Sequence, residues 1–314
     1  MNAIEQSRLR SLQHVPLAER SALPFRKDIL KIANVCLATA FKGDSIAPLT
    51  TESVRVVRDQ SFAEYTGLAI STLVHSSSQD AKPTKMKNTV DAAVMPLLPN
   101  RPIWVSESYL AMLIDIDPKI TDFMLANTLI HELLHRLAQP KVIELASNQP
   151  MLETIGLSSF QHQILTAPND RARQRYLEDY KSFLDSFKDN EPALLVDGAM
   201  IQVISGDVNG TRGIQTASGY DLNEGFAEFL AREPRKVLEQ QMRKTLKTRD
   251  AQFLVDTFSK NSGATIQREC IDMAEMAEIT KSLGLHDIRQ VLKAVRRSII
   301  PELWHQHRPG ELYP

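Results

Sequence analysis

The sequence predicts a mainly helical α+β protein, and three observations carry that expectation. From about residue 171 onward, most segments repeat apolar residues at helical spacing. A leucine-rich segment over 117–140 does the same. Between residues 51 and 106 lie short β-branched runs of strand length instead, enough for a small sheet. At 314 residues the chain can bury a sizeable core. The expected organisation is a helical N-terminal segment over 1–50, a lobe with the sheet and the leucine-rich helix over 51–160, and a mainly helical lobe over 161–314.

Residues 1–23 are a polar lead-in. "PFRKDILKIANVCLATAF", 24–41, places Ile29, Ile32, Val35 and Cys36 at helical spacing. "GDSIAPLTTES" reads as loop. "VRVVRDQ" and "GLAISTLVHS" have the composition of strands, and the polar run 76–88 that of a loop. "PIWVS" reads as a strand, and "SESYLAMLI" fits either a helix or a continued strand. The helix over 117–140 has Asp117 as N-cap, Pro118 at its first position and Pro140 at its end. "RARQRYLEDYKSFLDSF" is amphipathic helix, and "ALLVDGAMIQVIS" fits a strand or a helix pair. The glycine-rich run 206–219 reads as loop. "DLNEGFAEFLAR" restarts helix, followed by helical patterns over 234–247, 251–260, 267–283 and 286–299. The end of the chain, "WHQHRPGELYP", reads as a flexible tail.

Charged residues make up 24% of the chain, hydrophobic residues 43%, and the net charge is −1, which gives no reason to expect a nucleic-acid or anionic-membrane partner. Two cysteines far apart in sequence make no disulfide framework. The N-terminus lacks the apolar core of a signal peptide, and no apolar run approaches the roughly 20 residues of a membrane span. A cytoplasmic protein, or one exported by a signal-independent route, is expected.

The segment "NTLIHELLHRLAQ" carries His131, Glu132 and His135 among leucines. Residues four apart on a helix share a face, so both imidazoles can bind one tetrahedral ion. Zinc accepts neutral imidazole nitrogen and suits such a site. Glu132 sits beside the ion rather than on it. There it can act as base towards a water whose pKa the ion lowers to about 7. This is the H-E-x-x-H arrangement of zinc metalloproteases. The alternative is two ordinary core histidines. The apolar surroundings weigh against it, because unpaired buried ionisable groups are costly.

A third ligand must come from elsewhere. "GYDLNEGFAEFLAR", 219–232, resembles the glutamate-bearing helix of the gluzincin metallopeptidases. The resemblance covers two blocks of about 25 residues together. It implies a zincin-like fold, with the sheet packed on the active-site helix, Glu224 as third ligand and Glu228 one turn on as a partner orienting a histidine. Asn223 can orient the other. Glu stands at 228 where the thermolysin-like pattern has Asp. Glu224 also lies 89 positions after His135, several times the aminopeptidase spacing. Glu153, 18 positions after His135, is the rival, without the flanking Asn, Gly and second acidic residue. Gly225 would let the helix approach closely. No glycine–histidine continuation follows His135, against a histidine as third ligand.

A zinc peptidase also needs a donor for the oxyanion. Tyr220 and His286 are the candidates. His75, His162, His305 and His307 are isolated or in the tail. The expected activity is hydrolysis of peptide bonds in a protein or peptide substrate, with zinc as cofactor and Glu132 as general base. The alternatives are a non-catalytic zinc-stabilised interaction module and a zinc hydrolase of a non-peptide amide. An extended substrate is expected to pair with an exposed strand edge, with "RPIWVS" the candidate strand.

Overall fold

The computed structural model describes residues 26–58, 92–94, 101–114, 116–144, 167–186, 193–208, 211–268, 273–309, 311 and 313. The expected strand "GLAISTLVHS", the loop 76–88, Glu153, His75 and His162 lie outside them.

Helix α1, Lys27–Ala40, buries Ile29, Leu30, Ala33, Cys36 and Leu37 along one stripe. Val35, expected on that stripe, is exposed, because the buried face is centred one residue to the side. After α1 the chain turns back. The Asn34 side chain holds the returning strand by donating to the Leu49 carbonyl at 2.9 Å and accepting from the Leu49 N–H at 2.7 Å.

Strands β1 (Val54–Val57), β2 (Ala92–Val94) and β3 (Ile103–Ser106) form a three-stranded sheet in the order β1-β3-β2. β1 runs parallel to β3, and β2 antiparallel to it. All four residues of the central β3 are buried, as its unbroken apolar run demands. Its position corrects one expectation: β3 is paired on both sides and offers no edge to a peptide.

Helix α2 (Glu107–Ile114) settles "SESYLAMLI" as helical. Helix α3 (Pro118–Arg136) starts where expected, with the Asp117 carboxylate accepting from the Lys119 N–H at 2.8 Å. It buries Phe123, Leu125, Ala126, Leu129, Ile130, Leu133 and Leu134. It packs on α1, on the small sheet and on a long later helix.

Beyond Pro140 lies a second sheet. Strands β4 (Lys141–Glu144), β5 (Ala193–Asp197), β6 (Met200–Val208) and β7 (Thr211–Ser218) pair antiparallel in sequence order, with helix α4 (Asp170–Ser186) between β4 and β5. "ALLVDGAMIQVIS" is therefore a hairpin. Its two-residue turn places Gly198 at φ 65°, the left-handed conformation such tight turns ask of their first residue. The run 206–219 is not a loop, since β7 occupies most of it. Two register shifts in the β6–β7 pairing absorb the irregular, glycine-rich stretch.

Helix α5 (Tyr220–Thr245) runs unbroken through Pro234, where two helices were expected. Pro234 removes one hydrogen bond from the ladder. Leu222, Phe226, Leu230, Ala231, Leu238 and Met242 are buried along the same helix and hold it to the core across that gap. Helices α6 (Thr248–Arg268), α7 (Met273–Ser282) and α8 (Ile288–Arg296) follow, the last capped by Asp287. Helix α9 (Ile300–His307) and Tyr313 replace the expected flexible tail. Trp304 and Tyr313 are buried, edge to face at 5.6 Å. Two aromatic residues with apolar area to bury explain why this end docks. One apolar cluster joins α1, the three-stranded sheet, α3, α5 and α7 to α9. Among the described residues, no helix is long and apolar enough to cross a membrane.

Candidate metal centre

α3 and α5 cross with direct contact, and the crossing brings His131, His135 and Glu224 together. Nε2 of His131 lies 3.1 Å from Oε2 of Glu224. Nε2 of His135 lies 3.3 Å from Oε1 of Glu224 and 3.0 Å from Nε2 of His131. A tetrahedral ion with nitrogen and oxygen ligands at its usual bond lengths separates its donors by about 3.3–3.6 Å. With one ligand atom taken from each residue, the three donors lie within 4.8 Å of one another, near enough that the set can hold a metal ion.

Each imidazole has a polar neighbour behind it at Nδ1, for His131 a charge contact off the hydrogen-bond direction, and its Nε2 faces the cluster. Nδ1 of His131 is 2.8 Å from Oε1 of Glu228. Nδ1 of His135 is 3.1 Å from Nδ2 of Asn223. Five residues singled out in the sequence, His131, His135, Asn223, Glu224 and Glu228, thus lie together. The longer arm of Glu at 228 reaches its histidine. Gly225 has a different use from the one expected. A Cβ there would stand 2.6 Å from Sδ of Met276, so the missing side chain admits α7.

Burial and charge oppose each other here. Burial disfavours the imidazolium of His131, but the adjacent Glu224 and Glu228 carboxylates outweigh it and hold the pKa well above the ordinary value. His135 is likewise raised, with burial opposing and Glu224 prevailing. Burial pushes the Glu224 carboxyl up, yet the adjacent His135 charge and the histidine hydrogen bonds carry it well below the carboxylate range. Glu132 is different. It is buried beside the cluster, outside the donor set, and accepts a hydrogen bond from the Val94 backbone. Desolvation lifts its pKa to about 7 against the pull of the two histidines.

Several supporting residues had not been singled out in the sequence. Arg235 grips both oxygens of Glu228, with Nη2 at 2.9 Å from Oε1 and Nη1 on Oε2, and donates from Nε to Oδ1 of Asn127 at 2.8 Å. Its signal was available, because residues seven apart on a helix share a face. Arg101 places Nη2 between both oxygens of the buried Asp197, at 2.7 and 2.8 Å, and donates to the carbonyls of Ala138 and His135, closing the end of α3. The Gly198–Ala199 turn collects three more contacts. The Gly198 N–H donates to Ser298 Oγ at 2.9 Å, and the Ala199 N–H to Asn223 Oδ1 at 3.1 Å. The Ala199 carbonyl accepts from the Tyr313 hydroxyl. Nothing local in the sequence announces these contacts.

Tyr220 is the first residue of α5, one turn before Glu224, and is 52% exposed. His286 is exposed between α7 and α8, its backbone N–H donating to Gln290 at 2.7 Å, and no described contact joins it to the cluster. His305 and His307 are exposed on α9.

The raised histidine pKa values set a pH dependence for metal uptake. A ligating imidazole must be neutral, so an incoming ion competes with the protons these two residues hold. Affinity is expected to rise with pH while the imidazoles are protonated, and to level off above their raised pKa values. The slope of log affinity against pH should lie between about one and two, since the two Nε2 atoms are in contact and oppose double protonation. Metal titrations across pH 5–9 check this, and a flat profile would contradict it.

No protein-family model matches the chain, and no curated protein or solved structure does either.

Proposed function

We propose that the protein is a zinc-dependent peptidase of zincin-like fold, with His131, His135 and Glu224 as the ligands and Glu132 as the general base. The observation that carries this is the donor triangle with a buried, unligating carboxylate beside it. Two imidazoles and a carboxylate are a zinc donor set that leaves a fourth position open, as catalytic sites do. Among the described residues the group has three members, whereas a closed structural site takes four, which favours the enzyme over a zinc-stabilised interaction module.

Bound there, zinc would supply Lewis acidity to the scissile carbonyl and a lowered pKa to the attacking water. Glu132 takes a proton from that water as its oxygen adds to the amide carbon. It returns the proton to the nitrogen as the C–N bond breaks, leaving a carboxylic acid and an amine. Glu228 keeps the His131 imidazole aimed, and Asn223 would do the same for His135 with its amide oxygen turned to the Nδ1 proton that an Nε2-bound imidazole carries. Tyr220, one turn ahead of Glu224, suits the oxyanion donor better than His286 does. An extended substrate would pair with β2 rather than β3, since β2 ends the sheet order and its Val94 touches Glu132.

Elemental analysis of protein purified without chelator should find about one zinc per chain. Incubation with a whole proteome, followed by mass-spectrometric mapping of new termini, should yield cleavages that a chelator suppresses. Metal uptake without new termini would favour the non-peptide amide or the non-catalytic module, and no uptake at all would end the reading.

A further inference from the structure

The metal-site helices are joined at a second point, one turn below the donors. Arg235 stands two turns after Glu228 on α5, and Asn127 one turn before His131 on α3. The Arg235 guanidinium bridges them, with both terminal nitrogens on the Glu228 carboxylate and Nε on the Asn127 amide oxygen. The side chains of Arg235 and Glu228 are only 16% and 7% exposed, so solvent screens this pair little. Glu228 in turn stands 2.8 Å from Nδ1 of His131.

We propose that Arg235 is a positioning residue for the metal centre: by fixing Glu228 in a bidentate grip and tying it to Asn127, it sets where the carboxylate meets His131 and how far apart the two ligand-bearing helices stand. The inference rests on the metal site proposed above. A carboxylate with one oxygen on an imidazole can swing about its own torsion. A planar guanidinium on both oxygens removes that freedom, and its third donor anchors the assembly to the helix that carries the imidazole. Lysine offers a point charge and no fork, so it cannot do the same.

The test is a double-mutant cycle on zinc affinity, measured by chelator competition, with Arg235→Gln, Glu228→Gln and the double variant. Arg235→Lys is added to separate charge from geometry. Melting temperature of the metal-free protein is followed in parallel. Arg235→Gln should weaken zinc binding about tenfold, at the lower end of what loss of an outer hydrogen-bond partner costs. Arg235→Lys should recover little of it. In the Glu228→Gln background the Arg235 substitution should change affinity by less than about twofold, because its route to His131 is already cut. The d–d spectrum of the cobalt-substituted protein should shift in Arg235→Gln, a change that lost stability alone would not produce. The double variant removes both charges and keeps a hydrogen-bonding pair, so its comparison with Glu228→Gln can be read even where Arg235→Gln, which leaves a buried carboxylate without its guanidinium, melts too low to titrate. Additive effects on affinity, or full recovery by Arg235→Lys, would overturn the proposal while leaving the metal site standing. A wild-type protein that takes up no zinc would overturn both.

Discussion

For the proposed zinc peptidase, Glu132→Gln is expected to remove hydrolysis and keep the metal. Gln preserves the shape of the side chain and its capacity to accept from the Val94 N–H, but it cannot take a proton from water. Rates should fall by about 10²- to 10⁴-fold, the usual contribution of a positioned general base. Zinc content should be unchanged, because Glu132 is not among the donors. A stability signature accompanies the lost activity. Burial raises the Glu132 carboxyl to about 7, so the folded metal-free protein holds this proton more tightly than the unfolded chain does. For a carboxyl shifted in this direction, folding stability is greatest at low pH. It falls as pH rises from the ordinary carboxylate range through about 7. Gln carries no charge to bury, so in chelator the variant should melt higher than wild type at pH 8, with the difference shrinking by pH 4. Assay on a cleaved peptide, zinc analysis and melting curves at the two pH values together check this. Wild-type turnover in the Gln variant would remove Glu132 from the mechanism.

Glu224→Ala is expected to abolish metal binding together with activity, and Glu153→Ala to change neither. Glu224 is the one anionic member of the proposed donor set, and both of its oxygens face the imidazoles. Its removal should cost more than the about 10- to 100-fold that loss of an outer partner costs. It should also let the histidine pKa values fall, since Glu224 is a main cause of their elevation. Chelator competition on the two variants decides the matter. The reverse pattern would move the third ligand to Glu153.

The local parts of the site were legible in the sequence, and the supporting parts were not. His131, Glu132 and His135 lie within five residues of one helix, so helical periodicity alone sets their relative placement. Asn223, Glu224 and Glu228 share a second helix, and the same reasoning covers them once the two helices are allowed to meet. Which face of α3 meets which face of α5 is a tertiary matter, however. Arg101 and Asp197 came unread for that reason, since each is unremarkable in its own segment. The second sheet was missed differently. The run 206–219 has glycines that locally favour a loop, and pairing with β6 overrides them. The C-terminal residues looked like a tail because their apolar content is sparse. Two aromatic rings in the right place sufficed to dock them.

The spans of the contacts around the Gly198–Ala199 turn have a kinetic consequence. His131 reaches Glu224 across 93 residues, and Arg101 reaches Asp197 across 96. Gly198 reaches Ser298 across 100, and Tyr313 reaches Ala199 across 114. Contacts of such high order close late in folding, because the entropy of each loop must be overcome before any contact rewards it. The histidine pair forms with α3, but the carboxylate arrives only after the intervening strands have assembled. An ion bound at the proposed site is therefore not expected to nucleate this chain as it does a zinc finger. If the proposed ion binds, it is expected to enter a fold already built, with loading a separate step from folding.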